Sequence, residues 1–336
     1  MTGTRVRESR EHSLRGKPVQ NVTGVKQPIL ATSSNSSRLL AHLRLHALPY
    51  FLILPSILVL LAIEFYPLVV GLLEAFRYHN RVQPWATHYN GIENFVKAFN
   101  DHTVQVSLRT SFIMAFGIVS LSYALGLLTG VLLNQRLRLR GVFRALILIP
   151  WVAPPVVSLI SWQWMLNDQF GIINRTLIKL GIIGEFEPIL WLANPNLAML
   201  SIIIVGTWTR FPFMMITVLA ALSAIPDDLN EAAALDGATR FQAFRHITFP
   251  LILPVSIIAT LLQAIWVFND FGLPFVLTGG GPANATTPLI LLAYKEAFQR
   301  FNIGYGTSLA VISMVLMLAL GAVYLRLQAR QQDLYM

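Results

Sequence analysis

Six long apolar stretches, at about residues 48–73, 107–133, 142–166, 196–223, 251–277 and 304–326, constrain this chain more than any other feature. Each is close to the roughly 20 residues a helix needs to cross about 30 Å of hydrocarbon. Within lipid a backbone amide finds no water, so only helices or closed barrels are viable spanning structures. The blocks are too long for barrel strands and lack strict alternation, which excludes a barrel. Composition agrees, since only 12% of the residues are charged and 55% are hydrophobic, against about 25% charged in an ordinary soluble domain. The absence of cysteine removes a disulfide-stapled secreted fold. The expected fold class is therefore all-α, a polytopic membrane protein with six transmembrane helices. Prolines inside the blocks (Pro55, Pro67, Pro154, Pro155, Pro212, Pro274) are compatible with spans where neighbouring helices satisfy the freed carbonyls.

The formal charge of +9 could signal nucleic acid or a membrane surface, and the placement of the cations decides. With the N-terminus inside, the inner segments hold 16 Lys and Arg and the outer segments 7. The positive-inside rule then puts both termini in the cytoplasm, so the charge is mostly a topology signal and no nucleic-acid partner is expected. Residues 1–47 carry eight Lys/Arg and a Ser/Asn run at Ser33–Ser37 without apolar periodicity. They read as a disordered basic cytoplasmic tail near anionic membrane lipid, and 48–336 as the membrane domain.

Between the fourth and fifth spans, at about 226–250, lies an inner loop with strong local signals. Pro226 followed by Asp227 and Asp228 starts a helix with carboxylates at the positive end of its dipole. Ala232–Leu235 continues it, and Gly237 suits the left-handed residue that ends it. Thr239 then caps a second short helix with Phe241, Phe244 and Ile247 on one side, before Pro250 and Pro254 open the fifth span. The spacing predicts a helix–turn–helix along the inner membrane face. It suits either an ordinary interfacial loop or a docking surface, where small alanines admit another backbone and Glu231 and Asp236 pair with a partner's arginine.

The run Glu231-Ala232-Ala233, Asp236-Gly237-Ala238, then Ile247, Pro250 and Pro254 resembles the EAA signature of binding-protein-dependent ABC importer permeases, in the sugar-transport, maltose-type branch. Gly91-Ile92-Glu93-Asn94-Phe95, Ile149-Pro150-Trp151 and Leu277-Thr278-Gly279-Gly280-Gly281-Pro282 are further pieces that look like that family. Phe249 stands where leucine is usual. The resemblance implies the transmembrane domain of a type I ABC importer in a bacterial or archaeal plasma (inner) membrane. It implies a second permease subunit, two ATP-binding subunits that hold ATP and Mg, an extracytoplasmic solute-binding protein and a sugar-like cargo. This chain would hold no cofactor and perform no catalysis itself. Consistently, the sequence contains no GxxxxGK[ST] phosphate-binding loop. Glu231, Ala232, Ala233, Asp236, Gly237 and Ala238 would form the coupling helix seated on the ATPase. Thr278, Gly279, Gly280 and Gly281 read either as a flexible hairpin turn or, by the resemblance, as an outer loop that meets the binding protein.

Ionisable residues within spans are costly and are functional candidates by default. Glu64, Arg210 and Asp270 stand out, Glu64 reading mainly as an interfacial or internally paired carboxylate. Trp266 and Asp270 are four apart and share a helix face. An aromatic plane beside a carboxylate suits a sugar, with its apolar ring face and rim of hydroxyls. The resemblance places cargo contacts at Trp151, Pro155, Gly206, Thr209, Arg210, Trp266, Val267 and Asp270. Charges at 210 and 270 replace residues that are uncharged in the maltose-type relatives, so an interhelical ion pair and direct cargo recognition both remain open. An ion-driven secondary transporter with Asp270 as its coupling site is the alternative function.

Overall fold

The computed structural model describes residues 51–135 and 137–335. The tail expected at 1–47 lies outside them. Of a first compact unit, Met1–Ala62, the described residues 51–62 are helical, and all that follows concerns the second unit, Ile63–Met336. The helices in chain order are α1 (Phe51–Glu74), α2 (Glu93–Asn100), α3 (His102–Asn134), α4 (Arg140–Val152), α5 (Pro155–Met165), α6 (Ile172–Lys179), α7 (Pro195–Ser223), α8 (Asp227–Leu235), α9 (Arg240–Phe268), α10 (Gly272–Thr278), α11 (Leu289–Tyr294) and α12 (Ile303–Tyr335). Five of them are long and apolar enough to cross a membrane, or six spans if α4 and α5 count as one. A two-residue antiparallel ladder, β1 (Arg77–Tyr78) with β2 (His88–Tyr89), is a small outer-loop feature that the hydropathy pattern does not show. Glu64 lies exposed within a wide turn of α1 at Leu61–Phe65.

Two spans differ from the expected straight rods. The third breaks at Ala153-Pro154 and turns by 90° between α4 and α5. Pro154 holds the preceding residue out of the helical region, and Ala153 accordingly sits at ψ 142°. The fifth ends at Phe268, and residues expected to continue it form the separate short helix α10. At the inner end of that span the second short helix of the loop does not lie apart. It runs through a wide turn at Phe244–Thr248 directly into the span, giving one 29-residue helix.

The core is organised on α3 and α7. Gly117 meets Ile203, Gly126 meets Met214 and Gly130 meets Val218, a register that advances in step, so the two helices run parallel. That is the direction expected of the second and fourth of six alternating spans. Gly126 and Gly130 form a small-xxx-small pair of the kind that lets membrane helices approach closely. A Cβ at Gly126 would fall on the Met214 side chain and backbone. Against this pair pack Val267 and Phe268 of α9 and Leu273 and Leu277 of α10, joining Met114, Ile118, Ile202 and Val205 in one buried cluster. Large apolar residues such as Phe116 and Val152 are exposed, in keeping with lipid as the solvent.

Candidate functional site

At the inner face, local hydrogen bonding builds a rigid elbow. The Ala238 amide donates to the Ala233 carbonyl (3.0 Å) and the Gly237 amide to the Ala234 carbonyl (3.1 Å), with Gly237 at φ +77°. This paired arrangement satisfies the last carbonyls of α8 and needs a residue that tolerates the left-handed region. Immediately afterwards the Thr239 amide donates to Gln242 Oε1 (2.8 Å) and the Gln242 amide to Thr239 Oγ1 (3.3 Å), a reciprocal cap on α9. Glu231, Ala232, Asp236 and Gly237 are exposed and Ala238 is half-buried, whereas Ala233 is 7% exposed and faces its own fold. Opposite Ala233 lies a ridge of Asp228, Glu231 and Leu235, spaced i, i+3, i+7. Leu235 is 90% exposed, an apolar knob beside two carboxylates. Leu235 is not among the residues singled out in the sequence, although its place four after Glu231 puts it on that side.

Within the membrane domain, three aromatic rings from three different helices line up. Trp151 of α4 lies 6.2 Å from Phe213 of α7, which lies 5.2 Å from Trp266 of α9. Trp151 and Trp266 remain about half exposed. Beside the strip, Arg210 Nη2 forms an ion pair with Asp270 Oδ2, joining α7 to the turn after α9. Arg210 Nη1 also donates to Thr209 Oγ1 (2.9 Å) and the Gly206 carbonyl (3.4 Å). Asp270 Oδ1 accepts from the Leu273 amide (3.0 Å), which anchors the first turn of α10. Phe213 follows Arg210 by three residues and shares its face of α7, whereas Asp270 lies past the end of α9 at Phe268 and not, as its spacing from Trp266 predicts, on a common helix face. The spacing from Arg210 alone places Phe213 on that face of α7. Two of the expected positions point elsewhere. Val267 is fully buried in the core, and a Cβ on Gly206 would strike Ile118 and Leu273, so both serve helix packing in this state. Pro155 is exposed at the start of α5, just past the break.

At the outer face the Gly279–Gly281 segment is pinned. Thr278 Oγ1 and Thr286 Oγ1 are 2.7 Å apart, Thr286 Oγ1 donates to the Gly281 carbonyl (2.6 Å), and Thr287 Oγ1 donates to the Gly280 carbonyl (2.8 Å). Lys295 Nζ donates to Thr287 Oγ1 (3.2 Å), and burial, with the Arg300 charge nearby, pushes its pKa below the usual lysine value. The Leu289 amide donates to Ser111 Oγ (2.8 Å), tying the loop to α3. This many bonds make a shaped loop, where the glycine run alone also allowed a flexible hairpin. Gly279 is exposed at its tip, Thr278 and Gly281 are half-buried, and Gly280 is buried.

Residues 122–333 match the family described as binding-protein-dependent transport system inner membrane component. The trehalose/maltose transport system permease protein MalF of Thermococcus litoralis is 36% identical over 286 residues, 85% of this chain and 95% of that protein. The diacetylchitobiose uptake system permease protein DasB of Streptomyces coelicolor is 31% identical over 291 residues, 85% of this chain and 88% of that protein. Among solved structures, a chain of a bacterial ABC transporter involved in the import of the acidic polysaccharide alginate superposes with a TM-score of 0.75. It is 21% identical, over 87% of this chain and 99% of that one, which speaks to the fold.

Proposed function

The chain belongs to the binding-protein-dependent transport system inner membrane components, and on that premise we propose that it passes a carbohydrate or related polyol along the Trp151–Phe213–Trp266 face. As a member of that family it is a multi-pass inner-membrane permease of an ATP-driven importer, working with a binding protein and with ATPase subunits. Membership removes the ion-driven transporter with Asp270 as its coupling site.

The finer assembly is a second permease beside this one and two ATPase subunits carrying ATP and Mg. Each ATPase receives one elbow. Glu231 and Asp228 meet basic side chains there, Leu235 fills an apolar socket, and Ala232, Asp236 and Gly237 make the close backbone approach. Ala233 and Ala238 hold the elbow to its own membrane helices. Thr278, Gly279 and Gly281 present the outer loop to the binding protein, and Gly280 sets the loop's shape from beneath. Closure of the ATPases on ATP moves the docked elbows, and the spans exchange inward- and outward-facing states.

The observation that carries the cargo class is the aromatic strip bordered by Arg210, Asp270 and Thr209. Flat rings accept the C–H face of a sugar, and charged or hydroxyl groups at the margin accept and donate to its hydroxyls. The relatives named for trehalose/maltose and diacetylchitobiose support a carbohydrate, and another named for sn-glycerol-3-phosphate extends the range to a polyol phosphate. The test is ATPase stimulation and uptake by the reconstituted complex with its binding protein, over trehalose, maltose, diacetylchitobiose and glycerol-3-phosphate. Stimulation by at least one, lost in Trp266→Ala, is the expected result. No stimulation and no uptake by any of the four would overturn the cargo class.

A further inference from the structure

A cavity of about 420 Å³ lies on the outer side where the end of α5 meets the end of α10. Its volume falls in the roughly 300–1,000 Å³ span of small-molecule clefts. α5 is 11 residues long, about 16 Å, and begins four residues after Trp151 past the 90° break, so the cavity and Trp151 lie at opposite ends of one short helix. Thr278, on its wall, is also the first residue of the outer loop.

The lining is built rather than accidental. Gln163 Nε2 donates to the Val276 and Leu277 carbonyls (2.9 and 3.4 Å), which fixes the side chain and leaves Oε1 as an acceptor. Asn167 Oδ1 accepts from the Gln169 and Phe170 amides (2.9 and 3.0 Å), which leaves Nδ2 as a donor. The turn is closed by the Gly171 amide on the Asn167 carbonyl (3.0 Å), at a position where a Cβ would strike that carbonyl. Asp168 takes part in none of the four ion pairs among the described residues. Trp164 is 66% exposed and Phe170 is likewise exposed at the same cavity.

We infer that this cavity is an outer cargo station, a low-affinity site for a hydroxyl-rich sugar or polyol on its way from the binding protein to the aromatic strip. It rests on the carbohydrate reading above. A sugar ring lays its apolar face on Trp164. Its vicinal hydroxyls donate to Asp168 and Gln163 Oε1 and accept from Asn167 Nδ2, so the acceptor and donor positions of one ring edge are matched at once. The station lets the binding protein release cargo before the inner strip has closed on it.

The experiment is uptake and cargo-stimulated ATPase in the reconstituted full complex, with the binding protein in fixed excess and trehalose, maltose, diacetylchitobiose and glycerol-3-phosphate as probes. Trp164→Ala and Asp168→Ala should each raise the half-saturating cargo concentration about 5- to 10-fold while basal and maximal ATPase stay at wild-type levels. Trp164→Phe, which keeps a ring face, should return close to wild type. Unchanged half-saturation in both alanine variants would overturn the station while leaving the cargo class standing. Equal loss of affinity for loaded and cargo-free binding protein would also overturn it, since the cavity would then be holding a side chain of that protein. If wild-type complex transports none of the four probes, the carbohydrate reading falls and the station with it.

Discussion

Removing the charge at position 270 separates what the Arg210–Asp270 pair does for stability from what it does for cargo. Asp270→Asn keeps the side-chain oxygen that accepts from the Leu273 amide, so the first turn of α10 stays anchored. It takes away the counter-charge of a guanidinium whose side chain is only 21% exposed, its partner being 15% exposed. Breaking a fully buried pair by removing one partner costs about 3–5 kcal/mol. The water that still reaches both groups here reduces this to about 2–3 kcal/mol. Asp270→Ala also forfeits the anchor and adds about 1 kcal/mol. The double variant Arg210→Met/Asp270→Leu also forfeits the anchor but leaves no orphaned charge, and because the desolvation cost of both ions disappears together it should fall within about 1 kcal/mol of the wild type. The order of stability is then wild type and double variant, followed by Asp270→Asn, followed by Asp270→Ala. Thermal denaturation of the assembled complex in lipid nanodiscs measures it, with uptake of competing sugars recorded in parallel. A pair that only clasps helices gives a double variant with wild-type cargo preference, and a pair that touches cargo gives an altered preference even where stability is restored. Should Asp270→Asn be as stable as both the wild type and the double variant, the two charges carry no coupling energy and the clasp between α7 and α10 is refuted.

Further outcomes follow from the packing and the caps. Gly126→Ala should destabilise the complex by about 1–3 kcal/mol by driving α3 from α7, whereas Gly141→Ala, with open space around it, should leave the melting temperature unchanged. Gly237→Pro is incompatible with φ +77° and removes the amide bonded to Ala234, and Glu231→Lys reverses a charge on the proposed docking ridge. Both should yield a membrane-inserted chain with uptake reduced at least tenfold, and normal uptake in either would refute the elbow as the coupling joint. Burial alone would raise the pKa of Asp101, but hydrogen bonds from the Thr103 amide and hydroxyl and the Tyr305 hydroxyl, with the Lys97 charge, hold it below the usual carboxylate value. A depressed carboxylate contributes stability that is present above its unfolded pKa and lost as pH falls through the folded one. Stability should therefore decline below about pH 4 less steeply in Asp101→Asn than in the wild type, as read from unfolding at stepped pH.

What could be read from the sequence was what local physics decides. The elbow was legible residue by residue, because Pro226, Gly237 and the Thr239/Gln242 pair act through bonds that span only a few residues. The spans were legible because hydropathy over 20 residues is a bulk property. The break at Pro154 was less so, since a proline within an apolar block is equally compatible with a satisfied span. The end of the fifth span at Phe268 was hidden for a related reason. Residues 269–278 stay apolar enough to pass as a continuation, and only the fold shows α10 turning away to bury Leu273 and Leu277. Facing was hardest to foresee. Gly206 and Val267 lie within four residues of Arg210 and Trp266, yet packing against Ile118 and Leu273 turns both inward. The 3.6-residue period places Phe213 and Leu235 beside Arg210 and Glu231, but an apolar residue on a helix gives no sign in the sequence of whether it faces core, lipid or a partner.

One helix connects the two ends of the proposed mechanism. α9 is 29 residues long, about 43 Å, with Arg240 at the elbow and Trp266 at the aromatic strip. The doubly capped turn at 236–242 leaves few free dihedrals between α8 and α9, so in the proposed mechanism a displacement of α8 would tilt α9 instead of being absorbed in a loop. α7, which supplies Phe213 and Arg210, is locked to α3 by the glycine contacts and moves with it. Trp151 sits on α4, just before the break at Pro154. The three rings therefore sit on three different helices, and in the proposed mechanism their mutual spacing is the quantity that a movement of the elbow would change. A strip assembled from one helix could not be opened in this way. Distributing it over α4, α7 and α9 would make cargo contact depend on the position of the elbow, about 39 Å from Trp266 along α9.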